Sequence, residues 1–155
     1  MVDDDLMPIV LGNPGAKNVI TMVSNPFCGP CGKAHETLNN WLSTRDDLQL
    51  KIVFSTNNQD QDERTKVARH LTAYGNEQNK AQAKEILEFW YSDRIKYDQL
   101  AEKFPLNFNG EINEAMENQK KWCMVAGITF TPTFFINGYR LPEPYQIEDI
   151  KYLIN

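Results

Sequence analysis

Apolar positions along this chain follow two different periods. Short apolar runs open and close it, and between them apolar residues recur every three or four positions over a long stretch. Ile9-Val10-Leu11 leads into Gly12-Asn13-Pro14-Gly15, a dense turn signal. Val19-Ile20-Thr21-Met22-Val23 is mostly apolar and predicts a strand in the middle of a sheet. Gly32 to Leu42 predicts a helix, with Ala34, Leu38, Trp41 and Leu42 on one face. Leu48 to Phe54 alternates and then turns fully apolar, which predicts a further strand, parallel to the one at Val19–Val23.

From about 57 to 127 the pattern is helical. Asp62 to Tyr74 carries Val67, His70, Leu71 and Tyr74 at helical spacing, and Lys80 to Trp90 carries Ala83, Ile86, Leu87 and Trp90. Tyr97 to Phe104 is stopped by Pro105, and Glu111 to Ala126 ends at Gly127. Phe89-Trp90-Tyr91 reads as core of this helical region. Strand character returns at Thr133-Phe134-Phe135-Ile136. Asn137-Gly138 is a type I′ hairpin signal, and Tyr139-Arg140-Leu141 runs back until Pro142-Glu143-Pro144 stops it. Gln146 to Leu153 predicts a last helix with Ile147, Ile150 and Leu153 facing inward. With no internal repeat or low-complexity tract, 1–155 is expected to be one domain of α/β class. Its length is enough for a real core.

Composition narrows the function classes. A hydrophobic content of 41% is ordinary for a globular chain, and a formal net charge of -5 argues against a nucleic-acid or anionic-membrane surface. No apolar run approaches a membrane span. Met1-Val2-Asp3-Asp4-Asp5 lacks the basic start and apolar core of a signal peptide, a start equally compatible with a domain cut from a longer, exported protein.

Three cysteines are too few for a disulfide scaffold. Two of them form Cys28-Gly29-Pro30-Cys31, placed directly after a strand and directly before a helix. A helix N-terminus favours a thiolate on the first cysteine, and a thiolate attacks disulfides where a neutral thiol barely does. Strand, Cys-x-x-Cys and helix together point to a thioredoxin-like redox site. Pro30 suits a first helical turn, and Gly29 permits close approach of a substrate. The competing reading, half a zinc site, lacks ligands. Zinc wants about four, and the chain adds only Cys123, His35 and His70 with no second Cys-x-x-Cys. No metal and no cofactor beyond the Cys28–Cys31 disulfide is expected. Cys123, beside Trp122 on an apolar helix face, reads as a buried hydrophobe, and His70 as structural. His35 lies one turn beyond Cys31. It either tunes the thiols or is simply a helix histidine, solvated or packed under the motif.

With these residues in place, the chain resembles the thioredoxin-fold superfamily from Ile9 to Ile154. The likeness rests on Cys28-Gly29-Pro30-Cys31 after a strand, Thr131-Pro132-Thr133 before a strand about a hundred residues later, and the Asn137-Gly138 hairpin. It implies a central mixed β-sheet flanked by helices, here with a helical insertion at about 57–110 that looks like the DsbA/DsbC-like branch. The flanking text is narrower: Ser24-Asn25-Pro26-Phe27, then Phe134 to Pro142, and Ile147-Glu148-Asp149. It is similar to the thioredoxin-like domain fused to bacterial vitamin K epoxide reductase homologues. The resemblance implies a cis Pro132 beside the disulfide, with the Thr131 backbone free to pair with an incoming peptide as an added strand does. It implies Cys28 as nucleophile, Cys31 as the resolving thiol, and Phe27 as an apolar lip for substrate.

Two departures stand out. Six residues before the first motif cysteine, where thioredoxin and DsbA carry a buried acid, this chain has Met22. The Gly-Pro dipeptide matches reducing thioredoxin, whereas strongly oxidising DsbA has Pro-His. The expected activity is thiol-disulfide exchange with protein thiols and disulfides. One direction is an exported oxidase, periplasmic or otherwise extracytoplasmic, tethered in the full-length protein and passing electrons to a membrane vitamin K epoxide reductase-like partner. The other is a reductase, with a cytoplasmic location as the alternative. A metal-delivery or chaperone module using the same cysteines is disfavoured, because such relatives space their cysteines by three and add a distal histidine. A structural domain with an idle motif is the third reading.

Overall fold

A computed structural model of the chain describes residue 2 and residues 4–76, 80–92, 95–106, 110–142 and 145–154. After a 3-10 turn at Asp4–Leu6, strand β1 (Ile9–Gly12) and strand β2 (Asn18–Ser24) lead into helix α1 (Gly29–Thr44), and β3 (Leu48–Phe54) follows. Four helices come next: α2 (Glu63–Gly75), α3 (Lys80–Ser92), α4 (Tyr97–Lys103) and α5 (Gly110–Val125). The chain then returns through β4 (Thr133–Ile136), β5 (Tyr139–Arg140) and α6 (Ile147–Leu153). The strands form one mixed sheet in the order β1-β3-β2-β4-β5, with β2 and β3 parallel and the other neighbours antiparallel. This is the mixed α/β thioredoxin-like fold, with α2, α3 and α4 as the helical insertion after β3.

Strand alternation distributes the core over both faces. Ile20 and Met22 of β2, with Leu48, Leu50, Ile52 and Phe54 of β3, face a large cluster that includes Ala34 and Leu38 of α1, Leu87 and Trp90 of α3, and Ile147 and Ile150 of α6. Val23 and Val53 face the other way, against Val2, Leu6 and Cys123. Trp41 and Leu42, read from the sequence as part of the inward face of α1, are only half-buried at its far end. The side chain of Leu153 and the Glu143-Pro144 stop lie outside the described residues.

Element ends follow local chemistry. Asp62 caps α2 by accepting the Arg64 N–H at 2.9 Å. At the end of α5, Gly127 takes φ 71°, the Ile128 N–H reaches the Cys123 carbonyl at 3.0 Å and the Gly127 N–H reaches Met124 at 3.2 Å, a Schellman closure. Asn137 and Gly138 both have positive φ, 52° and 89°, as a type I′ turn requires. The Asn137 side chain then accepts the Val19 N–H at 2.8 Å and donates to Asn18 at 3.1 Å, locking the hairpin onto β2. Gln119 is fully buried on α5. It accepts the Phe54 N–H at 2.9 Å and donates to the Leu6 carbonyl at 2.7 Å, joining the N-terminal turn, β3 and α5. His70 is structural: its Nε2 meets the Phe104 carbonyl at 2.6 Å and its Nδ1 meets the Tyr97 hydroxyl at 3.3 Å, tying α2 to α4.

Candidate active site

The site forms where β2 ends. Ser24 closes the strand, and an Asx turn follows in which the Asn25 side chain accepts the Phe27 N–H at 2.9 Å and the Asn25 carbonyl accepts the Cys28 N–H at 3.1 Å. Cys28 is the N-cap of α1, with extended backbone (φ -91°, ψ 117°). Its Sγ accepts the Cys31 N–H at 3.3 Å, the bond a capping oxygen makes in other helices. In its thiol form the same sulfur donates to the Thr131 carbonyl at 3.5 Å. Pro30 sits in the first turn, where a missing N–H costs nothing.

The two cysteines are not equivalent. Cys28 is half-buried, whereas Cys31, one turn inside the helix, is 0% exposed. Burial pushes the Cys31 thiol up to about 11. The Cys28 side chain adds to that rise, while the polar groups of the Asn25 backbone and of the Ser24 and Thr131 side chains oppose it. The Thr131–Pro132 peptide beside them is cis. Gly29 is exposed, with nothing within 4 Å of the point where a Cβ would sit. Phe27 is half-exposed and places its edge on Trp90, centroids 5.5 Å apart at 83°.

The folded chain thus gathers Phe27, Cys28, Gly29, Pro30, Cys31, Thr131 and Pro132 at one end of the sheet. A groove of about 570 Å³ runs from Pro30, Lys33 and Ala34 past Phe130 and Pro132 to Tyr145 and Ile147. Cys123 is elsewhere, in the cluster on the opposite sheet face, where burial pushes its thiol up to about 11. His35 is packed under the motif: it is 2% exposed, its ring lies 5.4 Å from that of Tyr91, and neither ring nitrogen reaches a protein partner. Burial lowers its pKa to about 4, against an opposing pull from Glu88.

The insertion reaches into the site in a way the sequence reading missed. Trp90 of α3 donates its indole N–H to the Pro26 carbonyl at 2.8 Å, so it holds the turn before Cys28. Tyr91 brings its hydroxyl to 2.9 Å from the Ser24 Oγ. Ser24 carried a usable signal, four residues before Cys28 at a strand end. Tyr91 carried none, because its distance of about sixty residues from the motif is closed only by folding. Among the described residues, no group of three or more His, Cys, Asp or Glu is arranged to hold a metal ion, and no helix is long and apolar enough to cross a membrane.

A family model described as thioredoxin matches residues 4–155. The chain belongs to the thioredoxin family. A search of curated proteins by sequence finds no match. Solved structures similar to this thioredoxin-family chain include a periplasmic thioredoxin-like protein from Salmonella enterica serovar Typhimurium, at TM-score 0.80 and 14% identity, over 97% of this chain and 89% of that one. A thioredoxin-like oxidoreductase from Silicibacter pomeroyi matches at TM-score 0.77 and 14% identity, over 98% of this chain and 95% of that one. The catalytic domain of Proteus mirabilis ScsC matches at TM-score 0.80 and 14% identity, over 97% of this chain and 90% of that one. At these identities the likeness speaks for the fold.

Proposed function

We propose that this thioredoxin-family chain is a thiol-disulfide oxidoreductase that exchanges disulfides with protein substrates through Cys28 and Cys31. The observation that carries the reading is the asymmetry of the pair. One sulfur is accessible at a helix N-cap and accepts a backbone N–H, and the other is buried one turn behind it. A substrate thiolate attacks Cys28 of the oxidised pair, the Cys28–Cys31 bond breaks, and Cys31 leaves as a thiolate that takes up a proton. A second substrate thiolate then attacks the first substrate sulfur and releases Cys28. Two electrons and two protons pass to the pair, and the reverse sequence reduces a substrate. Thr131 and Pro132 line the approach to Cys28, and Phe27 with the groove beyond Pro30 offers apolar surface to an unfolded segment.

For direction, we favour an extracytoplasmic oxidase. The helical insertion, the likeness to a periplasmic protein and the Phe134–Pro142 text all support it, and that text also supports a membrane vitamin K epoxide reductase-like electron partner. The Gly29-Pro30 dipeptide favours the alternative, a reductase. Equilibrating the pair against glutathione and dithiothreitol buffers separates them. A value near -120 mV fits an oxidase and one near about -270 mV a reductase. Failure of Cys28 and Cys31 to form a disulfide at any poise, or stoichiometric metal on the reduced protein, overturns the proposal.

A further inference from the structure

We propose that the protein carries a second ligand site, on the other face of the sheet from the groove beside the cysteine pair, that takes a small amphiphilic carboxylate. The apolar tail fills a cavity of about 430 Å³ and the carboxylate is held by Lys17 and Lys51. The site does not depend on the exchange reading. Strand alternation separates the two places. Phe134 of β4 lines the groove with Pro30 and Pro132, and Phe135, its neighbour along the strand, lines this cavity.

The cavity exists because α5 stops short. On this face Val23 and Val53 pack with Cys123 of α5. The helix ends at Val125, and the closure at Gly127 turns the chain away. Two residues back along the strands, Lys51, Thr21 and Phe135 stand side by side across β3, β2 and β4, in register. Val19 continues the same face of β2. Trp122 makes a wall, its ring edge-on to that of Phe135 with centroids 5.5 Å apart. Val125, 90% exposed, carries the apolar lining to the mouth. The volume falls within the roughly 300–1,000 Å³ of small-molecule sites, and a mostly apolar lining with a few convergent charged groups is their usual make-up.

Charge decides the class of ligand. The chain as a whole carries a formal net charge of -5, yet among the described residues no Asp or Glu lines this cavity, and its charged groups are the two lysines. Neither lysine forms a salt bridge among the described residues. Lys51 is half-buried and rooted in β3, and Lys17 is exposed just before β2. A lysine lays its methylene stem along apolar surface and keeps its ammonium in water, which puts the two charges at the rim and leaves the floor apolar. Two unpaired cations above a floor of Val19, Phe135 and Trp122 complement an anion with an apolar tail. A cation with the same tail meets like charge there.

The test titrates the full chain, labelled with nitrogen-15, with sodium decanoate at pH 7.5 and follows the indole N–H signals of its three tryptophans. Trp122→Phe identifies the Trp122 signal by its loss. That signal should shift saturably, with the end point reached below about 1 mM decanoate. Trp41 of α1 and Trp90, which holds the turn before Cys28, should keep their positions. Lys17→Met and Lys51→Met keep an apolar stem and remove the charge. Each should raise the decanoate Kd about fivefold, and the two together about twentyfold. Decyltrimethylammonium, with the same tail and the opposite charge, should bind about tenfold more weakly than decanoate. The proposal is overturned if decanoate gives no saturable shift of Trp122, or if it shifts Trp90 in its place. It is equally overturned if decyltrimethylammonium binds as tightly as decanoate, or if the double lysine variant keeps the wild-type Kd.

Discussion

Replacing His35 by leucine should remove a specific part of the acid sensitivity of this protein. The imidazole is 2% exposed, without a protein partner at either nitrogen, and its pKa is lowered from 6.5 to about 4 chiefly by burial. The folded state therefore resists a proton that the unfolded chain accepts. A depressed histidine contributes nothing lost above 6.5, where both states are neutral. As pH falls from 6.5 toward about 4 the unfolded state is protonated and gains, so stability drops over that window. At 1.36 kcal/mol per pKa unit the full loss is about 3 kcal/mol, of which about 2 kcal/mol is gone by pH 5. Leucine is close to histidine in volume and suits the apolar side of the Tyr91 ring. Urea unfolding of the reduced protein, followed by tryptophan fluorescence at pH 7.5, 6 and 5, gives the comparison. The carboxylates and the buried His70, whose pKa burial also lowers, titrate in both proteins and cancel. The wild type should lose about 2 kcal/mol more than His35→Leu between pH 7.5 and 5. A gap between the two proteins that is the same at pH 7.5 and pH 5 would refute the reasoning, because it would mean that His35 takes up its proton in the fold as readily as in the unfolded chain.

Gln119→Leu should cost about 3 kcal/mol and lower Tm by about 10 °C, because it strands the buried Phe54 N–H and Leu6 carbonyl together; a loss below about 1 kcal/mol would show that those groups find other partners. Gly12→Ala should be worse than Gly127→Ala. Both glycines have positive φ, but a Cβ at Gly12 meets the Leu48 carbonyl at 2.7 Å whereas Gly127 faces open space. The expected costs in thermal unfolding are about 3 and about 1 kcal/mol, and the reverse order would contradict the geometry. Iodoacetamide at pH 7.5 should label Cys28 in the folded, reduced protein and Cys123 only after urea is added, since Cys123 is buried and its thiol pushed up to about 11. Mass mapping that finds Cys123 labelled first would remove it from the core.

The elements of this chain were legible because each is written in local chemistry. The period of two in Leu48–Phe54 and the helical spacing of Val67, His70 and Leu71 were set by which faces had to be buried. Pro105, Gly127 and Asn137-Gly138 marked ends because proline cannot continue a helix and only certain residues accept positive φ. The cysteine pair was legible as a pair for the same reason: two cysteines one turn apart at a strand–helix junction need nothing distant to be placed together. Tertiary structure decided what surrounds them. Which face of the sheet α3 covers, and therefore that Trp90 holds the turn at Pro26 and Tyr91 reaches Ser24, depends on packing between segments more than sixty residues apart. The sequence pattern records only that those aromatics are apolar. Whether His35 meets water or Tyr91 was equally open, since one helix turn can face either until its neighbours arrive. Local sequence specifies conformation through short-range sterics and hydrogen bonds, while the environment that sets the Cys31 thiol is burial plus groups brought from the end of β2, the turn after it, the start of α1 and the loop before β4, and that sum exists only in the folded chain.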